Sequence, residues 1–168
     1  EHYMKQALIA AKNVSKDKDI HFRNAHNTIG NFYIAREKYK LALPHLNQAL
    51  ELSKAANTDP VLTAIDIDNI ALVYSELGEH KKSLELSNEA LASNNKLPDH
   101  KHFLRTKGII LFNQGKTFER MKEYKRAIKT YDASIDVLAQ LIVMHPYESW
   151  RLEIVQKAKA NAVASMKS

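Results

Sequence analysis

The sequence predicts an all-α fold assembled from repeated pairs of antiparallel helices. Three observations carry that prediction. Apolar residues recur at spacings of three and four through most of the chain, which is the period of a helix face. Glycine and proline number only four each in 168 residues, too few for the turns of an all-β design. A set of small and aromatic residues also recurs three times at fixed offsets.

The first copy of that set is Gly30, Tyr33, Tyr39, Ala42, Ala49 and Leu50. The second is Ala71, Tyr74, His80, Ser83, Ala90 and Leu91, and the third is Gly115, Phe118, Tyr124, Ala127, Ser134 and Ile135. A small residue in the first helix of a pair lets the second approach closely, and the small residue twelve positions on does the same from the other side. The aromatic between them fills the space beside that contact.

The pattern resembles the tetratricopeptide repeat, whose signature is a small residue followed by Tyr at three, Ala at twelve and Ala at nineteen. The resemblance implies a right-handed α-solenoid. The three copies cover about residues 20 to 145. Their anchors stand 41 and 44 residues apart, whereas the family period is about 34. Seven extra residues are about two helical turns, so the helices are expected to be longer without losing phase.

The elements follow in order. Residues 1–15, with "HYMKQALIAAKNV", resemble the second helix of a repeat lacking its first, and "SKDKD" (Ser15 to Asp19) reads as a polar turn. Residues 20–36 and 39–56 make the first pair. Residues 60–77 and 80–95 make the second, with Asp59 as N-cap, Pro60 opening the helix and Gly78 in the turn. Residues 98–120 and 122–144 make the third, Pro98 opening it. A helix at 147–166, introduced by Pro146, is expected to cap the stack with Tyr147, Trp150, Ile154, Val155 and Ala158 on its buried side. Trp150 is expected to pack internally, a homodimer contact being the alternative. Residues 1–168 thus read as a single domain, and the opening at Glu1 without Met suggests a piece of a longer protein.

Composition excludes several classes of function. The chain has no cysteine, hence no disulfide, thiolate metal site or Cys nucleophile. No apolar run approaches a membrane span, so a cytoplasmic protein without membrane contact is expected. His100 and His102 are two apart and diverge on a helix, His21 and His26 lack an HExxH context, and Asp66 and Asp68 also diverge. No glycine-rich phosphate loop is present. The chain reads as non-catalytic, without cofactor or metal.

Charge is uneven. Residues 1–100 carry 12 Lys/Arg against 13 Asp/Glu, and residues 101–168 carry 13 against 6, which together give the net charge of +6. Lys116, Arg120, Lys122, Lys125, Arg126 and Lys129 could meet phosphates, yet no nucleic-acid-binding signature accompanies them. A solvated lysine-rich face is the expectation, with nucleic acid reached only through an unseen upstream domain.

The resemblance implies a binding groove lined by the first helix of each pair. The family's inward positions fall on Asn27, Thr28, Asn31 and Ile34; on Asp68, Asn69, Leu72 and Ser75; and on Phe112, Asn113, Lys116 and Glu119. An Asn amide offers donors and an acceptor that match a peptide bond. Asn27, Asn31, Asn69 and Asn113 are therefore expected to hold an extended ligand by its backbone, with Ile34, Leu72, Phe112 and Lys116 meeting its side chains. The family's carboxylate clamp maps to Asn27, Asn31, Asn69, Ile109 and Asn113, where its three cations are missing. The expected function is to bind a peptide or protein segment. The alternative is the sensor domain of a regulator, since longer repeats with groove asparagines are similar to those of peptide-sensing proteins of Gram-positive bacteria.

Overall fold

The computed structural model describes residues 18–55, 59–94 and 101–167. They form seven α-helices: α1 (Lys18–Ile34), α2 (Tyr39–Ala55), α3 (Pro60–Glu76), α4 (His80–Asn94), α5 (Lys101–Arg120), α6 (Tyr124–Met144) and α7 (Ser149–Lys167), with a 3-10 turn at Pro146–Glu148 before the last. The expected helix over 1–15 and the start at Pro98 lie outside the described residues. α1 already includes Lys18 and Asp19, inside the stretch read as a turn.

Each helix packs chiefly on its chain neighbour, as α1 on α2, α3 on α4, α5 on α6 and α7 on α6. The first helices also touch in sequence, α1 on α3, α3 on α5 and α5 on α7. Contact limited to near neighbours makes this an all-α solenoid.

The small anchors are where helices meet. A Cβ on Gly30 would stand 2.4 Å from Leu46 Cδ2, and one on Gly115 would stand 2.5 Å from Tyr131 Cε1. Leu46 and Tyr131 both lie sixteen positions after their anchors and are fully buried. In the second copy the anchor is Ala71, and the residue sixteen on is the buried Ser87. A glycine anchor thus faces a large side chain, whereas in the second copy both positions are small and buried. Gly108 gives α5 a second close approach, since a Cβ there would stand 2.6 Å from Leu138 Cδ2 of α6.

All three turns within pairs share one backbone design. Glu37, Gly78 and Lys122 have φ of 57°, 83° and 60°, each seven positions after its anchor. The next N–H in each case reaches back to the carbonyl of the signature aromatic: Lys38 to Tyr33, Glu79 to Tyr74 and Glu123 to Phe118, each at 2.9 Å. This is the αL helix stop that glycine favours, filled twice by charged residues. At the start of α3 the Asp59 carboxylate accepts from Val61 N–H at 2.8 Å, and Pro60 stands where no intrahelical donor is needed.

The final helix corrects the sequence reading. Tyr147, Trp150 and Ile154 are 63%, 50% and 47% exposed, whereas Val155 and Ala162 are buried. Leu152 and Ala158 join the latter pair against the core. The apolar stripe that meets α6 therefore runs through 152, 155, 158 and 162, and Tyr147, Trp150 and Ile154 form a neighbouring stripe left about half exposed, with Lys101 against the Tyr147 ring and Arg151 against the Trp150 ring. Trp150 does not pack internally as expected. Pro146 opens the 3-10 turn and not the helix itself.

Candidate peptide-binding groove

Two adjoining cavities run along the first helices of the pairs. One, of about 440 Å³, lies between α3 and α5, with Asn31 of α1 also on its wall. Its polar lining includes Asp59, Asp68, Asn69, His102 and Arg105, and its apolar lining includes Val61, Ile65 and Ile109. The other, of about 210 Å³, lies between α5 and α7 and is mainly apolar: Gly108, Ile109, Phe112, Leu138, Trp150, Ile154 and Val155, with Asn113 and Arg151. Ile109 lines both.

The structure divides the expected site residues. Asn31 and Asn69 reach the polar cavity, and Phe112 and Asn113 reach the apolar one. Asn27, Ile34, Leu72 and Lys116 line neither. Ile34 packs against the core around Ala42 and Leu46, and Leu72 is half-buried. The Lys116 ammonium sits 5.9 Å from the centroid of the Phe112 ring. The asparagine amides are largely engaged within the protein. Asn27 Nδ2 donates to Asp66 at 2.8 Å, Asn31 Nδ2 to Asn27 Oδ1 at 2.8 Å, and Asn113 Nδ2 to Asp68 Oδ2 at 2.8 Å. Asn69 Nδ2 is buried without a partner.

Asp66 and Asp68 lie on the same helix and are both buried, yet they differ in kind. Asp66 holds the Arg23 guanidinium through both oxygens, at 2.9 and 2.6 Å, and also accepts from Asn27 and Ser53. Asp68 has only Asn113, and its Oδ1 has no hydrogen-bond partner. Burial pushes the Asp68 carboxyl up to about 7, against the opposing pull of the Asn113 hydrogen bond.

A second charged centre joins the cavities. Buried Glu148 takes Arg105 of α5 on Oε1 and Arg151 of α7 on Oε2, the latter at 2.5 Å. Burial alone would raise the Glu148 carboxyl, but the two guanidinium groups outweigh it and hold it below the usual carboxylate range. Arg105 lines the polar cavity and Arg151 the apolar one, so this group bridges α5 and α7 where the two cavities adjoin.

Other features noticed in the sequence are partly neutralised. Arg120 pairs with Glu76 and Arg126 with Glu123, while Lys122, Lys125 and Lys129 remain exposed. His26 Nδ1 stands 3.1 Å from His45 Nδ1 between α1 and α2. Among the described residues no group of three or more His, Cys, Asp or Glu is placed to hold a metal ion. None of the helices there is long and apolar enough to cross a membrane.

A sequence model described as the tetratricopeptide repeat matches residues 21–96 and again 63–140. The chain belongs to the tetratricopeptide repeat family. Among curated relatives, the photosystem I assembly protein Ycf3 of Synechococcus sp. (strain CC9902) is 29% identical over 108 residues. Ycf3 of strain CC9605 matches to the same extent. The match takes in 64% of this chain and 58% of each relative, so it spans less than two thirds of their length. Among solved structures, the Sgt2 tetratricopeptide repeat domain from Aspergillus fumigatus superposes with a TM-score of 0.53 at 22% identity, covering 84% of this chain and 82% of that one. BtubC from P. vanneervenii gives 0.67 at 14% identity, covering 98% and 72%. Both are likenesses of fold. Tetratricopeptide repeats in general are modules of protein–protein interaction, and that is the class of function the family assigns here.

Proposed function

We propose that this tetratricopeptide repeat array holds an extended peptide segment of a protein partner in the groove along α3, α5 and α7. The observation that carries the reading is the pair of adjoining cavities joined at Ile109, one polar and one apolar, on the first helices of the repeats. Three buried polar atoms of the polar cavity's lining residues lack partners within the protein: Asp68 Oδ1, Asn69 Nδ2 and Arg105 Nε. Such atoms cost free energy in an empty site and return it when a ligand supplies the missing hydrogen bonds. Asn69 is the groove asparagine free to donate to a ligand carbonyl, and Phe112 and Trp150 offer aromatic surface for a side chain. The Ycf3 relatives are named for an assembly role, which favours a scaffold that holds a client. The sensor alternative draws on the polar contacts between α3 and α5, Asn113 with Asp68 and Thr117 with Ser75, which a ligand could rearrange.

The test is a titration of a pooled library of short peptides into the wild type and an Asn69→Ala/Ile109→Ser variant, with the fold checked by circular dichroism. Saturable binding lost in the variant supports the groove. Equal binding to both chains overturns it and directs attention to the lysine-rich outer surface.

A further inference from the structure

The two aspartates of α3 supply an internal comparison. Asp66 is buried with a guanidinium, a hydroxyl and an amide around it, so its charge is fully met inside the protein. Asp68 is 4% exposed, lines the polar cavity, and has one amide on one oxygen. No cation pairs with it among the described residues. The only guanidinium on that cavity wall belongs to Arg105, whose charge is taken by Glu148. With Asp59 at the rim, the described wall carries two carboxylates against one guanidinium that Glu148 already engages. A carboxylate kept this deep without a counter-charge is costly unless the counter-charge arrives with a ligand.

Next to it, the apolar cavity is walled by Ile109, Phe112, Leu138, Trp150 and Ile154. Asn113 belongs to both places, because it lines the apolar cavity and donates to Asp68. We propose that Asp68 receives the basic side chain, Lys or Arg, of an extended segment whose nearby bulky apolar side chain fills the cavity between α5 and α7. The inference rests on the groove reading above and adds to it the chemistry of the partner: one cation and one large apolar group, close together in the sequence. Their spacing is set by an extended backbone, whose side chains alternate between faces.

Trp150 is the chain's single tryptophan, half exposed at the mouth of the apolar cavity, so its emission reports occupancy directly. The probes are end-capped peptides that contain one Phe and, at varied spacing from it, Lys, Gln or Glu. Both ends are capped so that no terminal amine or carboxylate stands in for a side chain. Titrations read by peptide anisotropy and Trp150 emission use the wild type, Asp68→Asn and, as a control outside the groove, Asp136→Asn, which is exposed on α6.

The wild type is expected to bind the best Lys peptide about tenfold or more tighter than its Gln counterpart, and the Glu peptide weakest of all. Asp68→Asn brings Lys and Gln peptides to parity, while Asp136→Asn retains the preference. A second measurement needs no variant. As pH falls from about 8 to about 6 the Asp68 carboxylate takes up a proton, so the wild-type preference for Lys shrinks. Asp59, His102 and Arg105 are the other ionisable groups of that wall. The Asp68→Asn chain measured at both pH values isolates the carboxylate's share. Peptides that bind with equal affinity whether they carry Lys or Gln overturn the inference and leave the groove intact. A preference for Lys that survives Asp68→Asn also overturns it. Absence of saturable binding by any peptide overturns the groove reading and this inference together.

Discussion

Gly115 has Tyr131 pressed against the place where a Cβ would be, and the ring is completely buried with its hydroxyl donating to Glu119 Oε2 at 2.7 Å. The ring cannot slide outward without breaking that bond, so Gly115→Ala forces helix α5 away from α6. Alanine gains helix propensity over glycine, which offsets part of the strain. The expected net loss is about 1–2 kcal/mol of stability, measured by urea unfolding. A variant at least as stable as the wild type would show that the contact relaxes freely. Gly115 was legible as an anchor in the sequence because small residues at helix crossings have a steric cause that repeats. Its partner Tyr131 was not, since nothing in the spacing says which large side chain covers the gap. The groove asparagines show the same limit. Their places on the helices could be read from register, but their partners Asp66 and Asp68 stand about forty residues away.

Among the elements, the turns teach most. Gly78 announced the stop of α3, but Glu37 and Lys122 adopt the same αL backbone without announcing anything. A side chain there strains the backbone by about 1 kcal/mol, so Lys122→Gly is expected to stabilise the chain by roughly 0.5–1 kcal/mol. Thermal unfolding reads the change, and a lower midpoint would show that the Lys122 side chain makes a compensating contact. Helix α7 is the element for which the sequence misled. Periodicity tells which residues share a stripe, but α7 carries two apolar stripes side by side. Only docking on α6 decides that Val155 and Ala162 go inward while Trp150 and Ile154 face the groove. The error concealed the better half of the candidate site, because an exposed Trp beside Phe112 is what gives the groove its apolar end.

At the scale of the whole molecule, polar and ionic contacts join the repeats in addition to the core. Arg120 with Glu76 and Thr117 with Ser75 tie α5 to α3, and Glu148 ties α7 to α5 through two guanidinium groups. Glu148→Ala leaves Arg105 and Arg151 facing each other without their shared carboxylate. The expected cost is about 2–4 kcal/mol, concentrated in α7. Amide hydrogen exchange locates it: protection falls first over residues 149–167, and a uniform fall would contradict this modular picture. The wild type is expected to depend on acid in the same way. The folded Glu148 titrates below the usual carboxylate range, so its contribution is complete above the unfolded value and disappears as pH falls through the folded one.

The size pairing at the helix crossings limits how the chain can go wrong. Gly30 accepts Leu46 and Gly115 accepts Tyr131, whereas the second copy has the small Ala71 and Ser87 at the corresponding positions. If α6 docked on α1, the tyrosine would collide with a site shaped for leucine. If α4 docked on α5, its serine would leave a hollow where a ring belongs. Each first helix therefore accepts its own second helix and rejects the others, and a solenoid of look-alike repeats keeps its order without any two neighbours being able to trade partners.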